Sequence, residues 1–357
     1  IASGAPWLVD AGPAASLSAA WSGSVIGVAW ARGAIATNRE VLFATVPAGG
    51  GAAASVLTVA DASCDPGYCD VKGTSVAWSG SEYGVAWARG MASGGVALGF
   101  ARISAAGARV GSDLELSATL GISEDPALSW TGTAYGLSWV QGNRHVVVGI
   151  IDPTGSRIGS DVAVRFGTLA AWTPAIAWSG TEFGLAWRET LVAGTASGFT
   201  RLEPFGAPVG SATMISTIYG TPEVLWTGSS YSVVSSSSGS AGIGVTAIPA
   251  DGSGFATGIV VDATPLSVQA TSASWSGQEI GISWVGADAS SDMSVFLSPG
   301  SPAGEPSGEA ATVADAGGRV AEVSTVWAGS SYVTLWTSGP TGAEELHARN
   351  VMVCPFD

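Results

Sequence analysis

Apolar and polar residues alternate along this chain in short runs, and one run returns seven times. Ala77 to Trp87 reads AWSGSEYGVAW, and it recurs as AWSGSVIGVAW (Ala20 to Trp30), SWTGTAYGLSW (Ser129 to Trp139) and AWSGTEFGLAW (Ala177 to Trp187). Looser copies are LWTGSSYSVVS (Leu225 to Ser235), SWSGQEIGISW (Ser274 to Trp284) and VWAGSSYVTLW (Val326 to Trp336). The first tryptophans, from Trp21 to Trp327, are separated by 57, 52, 48, 48, 49 and 52 residues, and 357 residues divide into seven units of 51. A period of that length marks a repeat architecture.

Inside each copy the period is two on either side of a short turn. Thr74, Val76 and Trp78 share one strand face, Ser79 to Glu82 turn the chain, and Tyr83, Val85 and Trp87 continue that face on the return strand. The other face holds only Ala77, Gly84 and Ala86. A sheet that is bulky on one side and bare on the other stacks on its own copy, so we expect tryptophans to fill the space left by the glycines.

A third strand and turn follow, as FARISAAG (Phe100 to Gly107), GIIDPTG (Gly149 to Gly155), FTRLEPFG (Phe199 to Gly206) and VTAIPADG (Val245 to Gly252). A fourth reads RVGSDLEL (Arg109 to Leu116), RIGSDVAV (Arg157 to Val164) and PVGSATMI (Pro208 to Ile215). The pattern predicts an all-β, seven-bladed β-propeller with four antiparallel strands per blade, residues 1–357 forming one domain. The last copy ends after its third strand and PWLVDAG (Pro6 to Gly12) reads as an orphan fourth strand, so the N-terminal strand is expected to complete the last blade.

The W-[STA]-G-x-x-[YFI]-G-[VLI]-x-W hairpin and the turn after it resemble the tandem repeats of secreted proteins from myxobacteria and related bacteria. That resemblance implies a propeller fold and secretion and transfers no active site. The WD-repeat dipeptide and the S-x-D-x-G-x-x-W box of sialidases are both missing. Two copies depart from the pattern. The fifth has Ser235 for its second tryptophan, read as local repacking or as an opened pocket, and the seventh has Val333 and Leu335 for Gly and Ala.

Composition narrows the partners. Net charge is -15, with one lysine, Lys72, beside twelve arginines, an acidic balance that repels nucleic acid and anionic membranes. No apolar run reaches the length of a membrane span, so no membrane insertion is expected. The chain starts at Ile1 without a leader and reads as a mature or trimmed product, secreted or held at the cell surface. Cys64 and Cys69 flank a Pro66-Gly67 turn in CDPGYC, which suits a local disulfide, while Cys354 has no evident mate.

Chemistry is sparse. The thirteen motif tryptophans read as core, whereas Trp172, outside the motif, suits an exposed position. Loops after the second tryptophan and before the first gather on one face. The candidate ligand-binding residues there are Arg32, Arg89, Gln141, Arg144, His145, Trp172, Arg188 and Glu189, with Arg39 nearby. Arg32, Arg89 and Gln141 share one offset from the tryptophan, which a scaffold role explains equally well. His145 and His347 begin no metal motif, and Glu82, Glu182 and Glu279 sit on separate blades, so no catalytic set is assigned. No cofactor is expected. Calcium at Asp61, Asp65 and Asp70 is the one metal weighed, against a loop pinned by a disulfide. The functional readings are a lectin-like binding or adhesion module for glycans and a scaffold for a cell-surface protein. A polysaccharide-acting enzyme in the central channel ranks below both, because the strands nearest the axis read as mostly Ala, Ser, Val and Pro.

Overall fold

The computed structural model describes residues 2–33, 39–61, 70–90, 95–119, 123–166, 169–192, 194–216, 220–237, 242–262, 267–287 and 292–352. Seven antiparallel sheets stand in a ring, and the first strand of each touches the first strand of the next, from Ala14–Trp21 round to Val320–Trp327 and back. Blade 2 shows the pattern: Val71–Trp78, Glu82–Gly90, Val96–Ser104 and Arg109–Thr119, each paired with its successor. No helix is long and apolar enough to cross a membrane among the described residues.

Blade 7 has three strands of its own, and the N-terminal segment supplies the rest. Trp7–Asp10 and Ala2–Ser3 both pair with Glu345–Met352, so the ring closes as the orphan strand predicts. Closure removes an open sheet edge, with its row of unpaired backbone donors and acceptors. It is bolted from the side by Asp10, whose carboxylate accepts from the Trp30 indole at 2.9 Å and from Arg32 at 2.7 and 2.9 Å.

The repeat signature has a physical reading position by position. In the first turn Ser79 Oγ accepts from Glu82 N at 2.9 Å and donates to Glu82 O at 2.8 Å, while Gly80 takes φ +93°, a left-handed conformation that favours glycine. Trp78 then packs on Tyr83, ring centroids 4.6 Å apart. The second tryptophans, such as Trp30, Trp139, Trp187 and Trp284, are buried, whereas all seven first tryptophans are only half-buried.

The expectation that tryptophans fill the glycine gaps is corrected here. A Cβ at Gly27 would come within 2.4 Å of the Tyr83 ring, and Gly84, Gly136, Gly184 and Gly281 receive Tyr135, Phe183, Tyr231 and Tyr332 in the same way. Each gap is therefore filled by the aromatic of the next blade's hairpin, which lies in line with it. Tyr83, Tyr231 and Tyr332 also donate their hydroxyls across the seam, to Val25 O, Glu182 O and Glu279 O at 2.9 to 3.0 Å. The two irregular copies pair a larger residue with a smaller partner. Where blade 5 has Ser232 and blade 7 has Val333 in place of Gly, the next blades offer Ile280 and Ile26 in place of the ring, and Ile26 and Val333 share one buried cluster. Ser235 itself is buried opposite Gly244.

Candidate functional site at the mouth of the central channel

The seven first strands enclose a cavity of about 530 Å³ on the propeller axis, and every blade contributes to its wall. Most first strands carry a ladder irregularity five or six residues before their tryptophan, as between Ala15 and Ser18, Glu124 and Ala127, and Trp172 and Ala175. Ser16, Asp125 and Thr173 sit in these bulges with positive φ, which turns the strand and aims its next side chains at the axis.

The inner strands are edges, and polar side chains satisfy them across the seams. Ser18 and Ser75 accept from Val76 N and Leu128 N at 3.0 Å, and Asp125 accepts from Thr173 N at 3.1 Å. Glu223 accepts from Ala273 N at 2.6 Å, Ser272 from Thr325 N at 3.0 Å and Glu322 from Leu17 N at 2.8 Å. Three carboxylates, Lys72 and Gln269 thus line the channel, more titratable chemistry than the sequence reading placed on the axis. Burial raises the Glu223 carboxyl to about 7, against hydrogen bonds from Ala273 N and Ser272 that favour its charged form. The side-chain oxygens of Thr173 and Thr271, also in this wall but shut off from solvent, have no hydrogen-bond partner among the described residues.

Six of the eight candidate residues lie close together at the seam of blades 3 and 4. Gln141 and His145 face each other across the turn of blade 3, and Arg144 is exposed at its tip. The carbonyl of Asn143, in that turn, accepts from Ala171 N at 3.0 Å, which ties the turn to the start of blade 4. There Trp172 pairs with Arg188, and the guanidinium lies over the indole, 5.4 Å from the ring centroid. Trp172 immediately precedes Thr173 and Pro174 of the channel wall, so it stands on the rim. Glu189 is buried in an ion pair with Arg165, which also donates to Arg144 O at 2.6 Å. Arg165 is the residue at this seam that the repeat pattern did not single out; the only signal was its place just after a predicted fourth strand.

Arg32 and Arg89 are elsewhere. Arg32 is locked on Asp10, and Arg89 on blade 2 donates to Asp61 O at 3.0 Å with the Asp61 carboxylate 3.9 Å away. Both repeat a scaffold contact at the end of the preceding fourth strand. Asp70 pairs with Arg39 and Lys72 at 3.3 Å. Cys64, Cys69, Cys354 and Asp65 lie outside the described residues, so the disulfide and the calcium loop do too. Among the described residues no group of three or more His, Cys, Asp or Glu is arranged to hold a metal.

No protein-family model matches the chain, and no curated protein matches its sequence. Solved structures do match its fold. The endosialidase of phage phi92 superposes with TM-score 0.57 at 7% identity, over 98% of this chain and 68% of that one. The Trypanosoma rangeli sialidase in complex with the inhibitor DANA gives 0.53 at 8%, over 95% and 55%, and a prolyl endopeptidase gives 0.54 at 14%, over 96% and 47%. The chain spans about half the length of the last two. At such identities the likeness is one of propeller fold alone.

Proposed function

We propose that this protein is a secreted or cell-surface binding module that recognises carbohydrate at the mouth of its central channel. The observation that carries the reading is the channel itself: about 530 Å³ walled by every blade, with Asp125, Glu223, Glu322, Lys72 and Gln269 among its lining. A sugar supplies many hydroxyls that donate and accept, which suits a wall of carboxylates, an ammonium and an amide. Trp172 and Arg188 on the rim add an indole to meet the apolar side of a pyranose and a fork of donors for its oxygens. Sialidases and an endosialidase among the fold neighbours agree with a sugar partner by analogy of fold only. The acidic surface favours neutral or cationic sugars over polyanions.

A glycan array probed with the intact protein tests the reading. Binding should concentrate on a related group of sugars, and Trp172→Ala should weaken it at least tenfold with little change in Tm. A blank array, or a folded Trp172→Ala protein that binds as the parent does, contradicts it.

A further inference from the structure

The seams of blades 1–2 and 2–3 are closed on their outer side by an arginine at the start of a fourth strand, and the 4–5 seam has the same frame without it. Between blades 2 and 3, Arg102 pairs with Glu82 and donates to Pro153 O at 2.9 Å, in the outer turn of blade 3. Two residues after the turn glycine, Gly155, comes Arg157, which pairs with Asp161 and donates to Leu116 O at 2.8 Å. Between blades 1 and 2, Arg109 follows Gly107 by the same two residues, pairs with Asp113, and donates to Thr58 O and Val59 O at 3.1 and 2.5 Å. The R-[IV]-G-S-D run of the sequence is therefore a bolt: the arginine crosses the seam and the aspartate, four residues on, holds it.

The seam between blades 4 and 5 repeats the frame. Arg201 pairs with Glu182 at 3.1 Å and donates to Ala250 O at 2.6 Å, as Arg102 does to Glu82 and Pro153. Two residues after the turn glycine, Gly252, however, stands Gly254, and Gly258 replaces the aspartate. No heavy atom lies within 4 Å of where a Gly254 Cβ would be. The missing bolt leaves a notch of about 450 Å³, walled by Phe199, Thr213, Ile215 and Ile248 and fronted by Phe255, which is 47% exposed. Ile215 occupies the irregularity of its ladder that Leu116 occupies in blade 2, so its carbonyl stands where Leu116 receives Arg157.

We propose that this notch is a docking site for the side chain of an arginine presented by a partner protein. Two guanidinium groups already share the blade 2–3 seam, so Arg201 leaves room for a second cation in the same geometry. Phe255, exposed at the front of the notch, offers an aromatic side chain to a cation, Arg201 in the lining has its charge met by Glu182, and the chain carries a net charge of -15 with Asp251 exposed in the turn beside the notch.

The test titrates the intact protein with acetyl-Ala-Arg-Ala-amide, followed by NMR, beside its citrulline analogue and agmatine. The arginine peptide should bind at least tenfold more tightly than the neutral citrulline peptide and more tightly than agmatine. Phe255→Ala, an exposed position, should weaken it severalfold while the protein stays folded. Equal binding of the arginine and citrulline peptides, or none, overturns the proposal, as does a folded Phe255→Ala protein that binds unchanged. Agmatine binding as tightly as the peptide would assign the notch to a free amine and overturn the protein partner.

Discussion

Tyr83 lies on Gly27 because nothing larger than hydrogen fits beneath its ring. A Cβ at Gly27 would lie 2.4 Å from that ring, so Gly27→Val should destabilise the protein by about 2 to 3 kcal/mol in urea unfolding. The chain itself indicates the remedy, since blade 7 and blade 1 use Val333 and Ile26 at the same two positions. Adding Tyr83→Ile should restore most of the loss; a double variant no more stable than the single would show that the pairing of sizes is not what sets the seam. The repeated glycine and its bare face were legible as spacing. Which aromatic met the glycine was not, because period-two reasoning fixes faces within one sheet and says nothing of the offset between two.

At the scale of the element, the closing strand is the case where sequence and structure agree most fully. PWLVDAG had no partner in its own unit, and the last unit lacked a strand, so one completed the other. What the sequence hid was the use of Arg32. The offset it shares with Arg89 was compatible with a ligand face, and only the fold brings Asp10 and Asp61 to these arginines. Burial alone would raise Asp10, but hydrogen bonds from Arg32 and Trp30 outweigh it and hold the carboxyl below its ordinary value. Its contribution to stability is therefore full above the unfolded carboxyl's pKa, near about 3.9, and is lost as pH falls through the lower folded value. Asp10→Ala should cost about 2 kcal/mol at neutral pH and remove that part of the acid sensitivity, and Arg32→Ala should leave sugar binding intact. Loss of binding in Arg32→Ala would return that residue to the ligand face.

For the whole molecule, the channel is where the ring creates chemistry that no single repeat contains. Asp125, Glu223 and Glu322 lie far apart in the sequence, on blades 3, 5 and 7, three to five residues before a tryptophan. Ring closure turns those positions inward, and this is why they escaped a reading made copy by copy. Glu223 shows the cost of the site. Its folded carboxyl titrates near 7, so the folded chain holds a proton that the unfolded chain releases from about pH 4.3 upward. Stability should fall as pH rises across that window, by at most about 4 kcal/mol and by less as water fills the channel, and Glu223→Gln should flatten the profile of Tm against pH. An identical slope in the variant would assign the titration to the other channel acids.

The most direct test of the account is a crystal structure of the protein with the sugar that binds most tightly on the array. The sugar should lie at the channel mouth, against Trp172 and Arg188, with its hydroxyls bonded to the polar side chains of the channel wall. A sugar seated on the outer rim or on the face of the half-buried first tryptophans would contradict it.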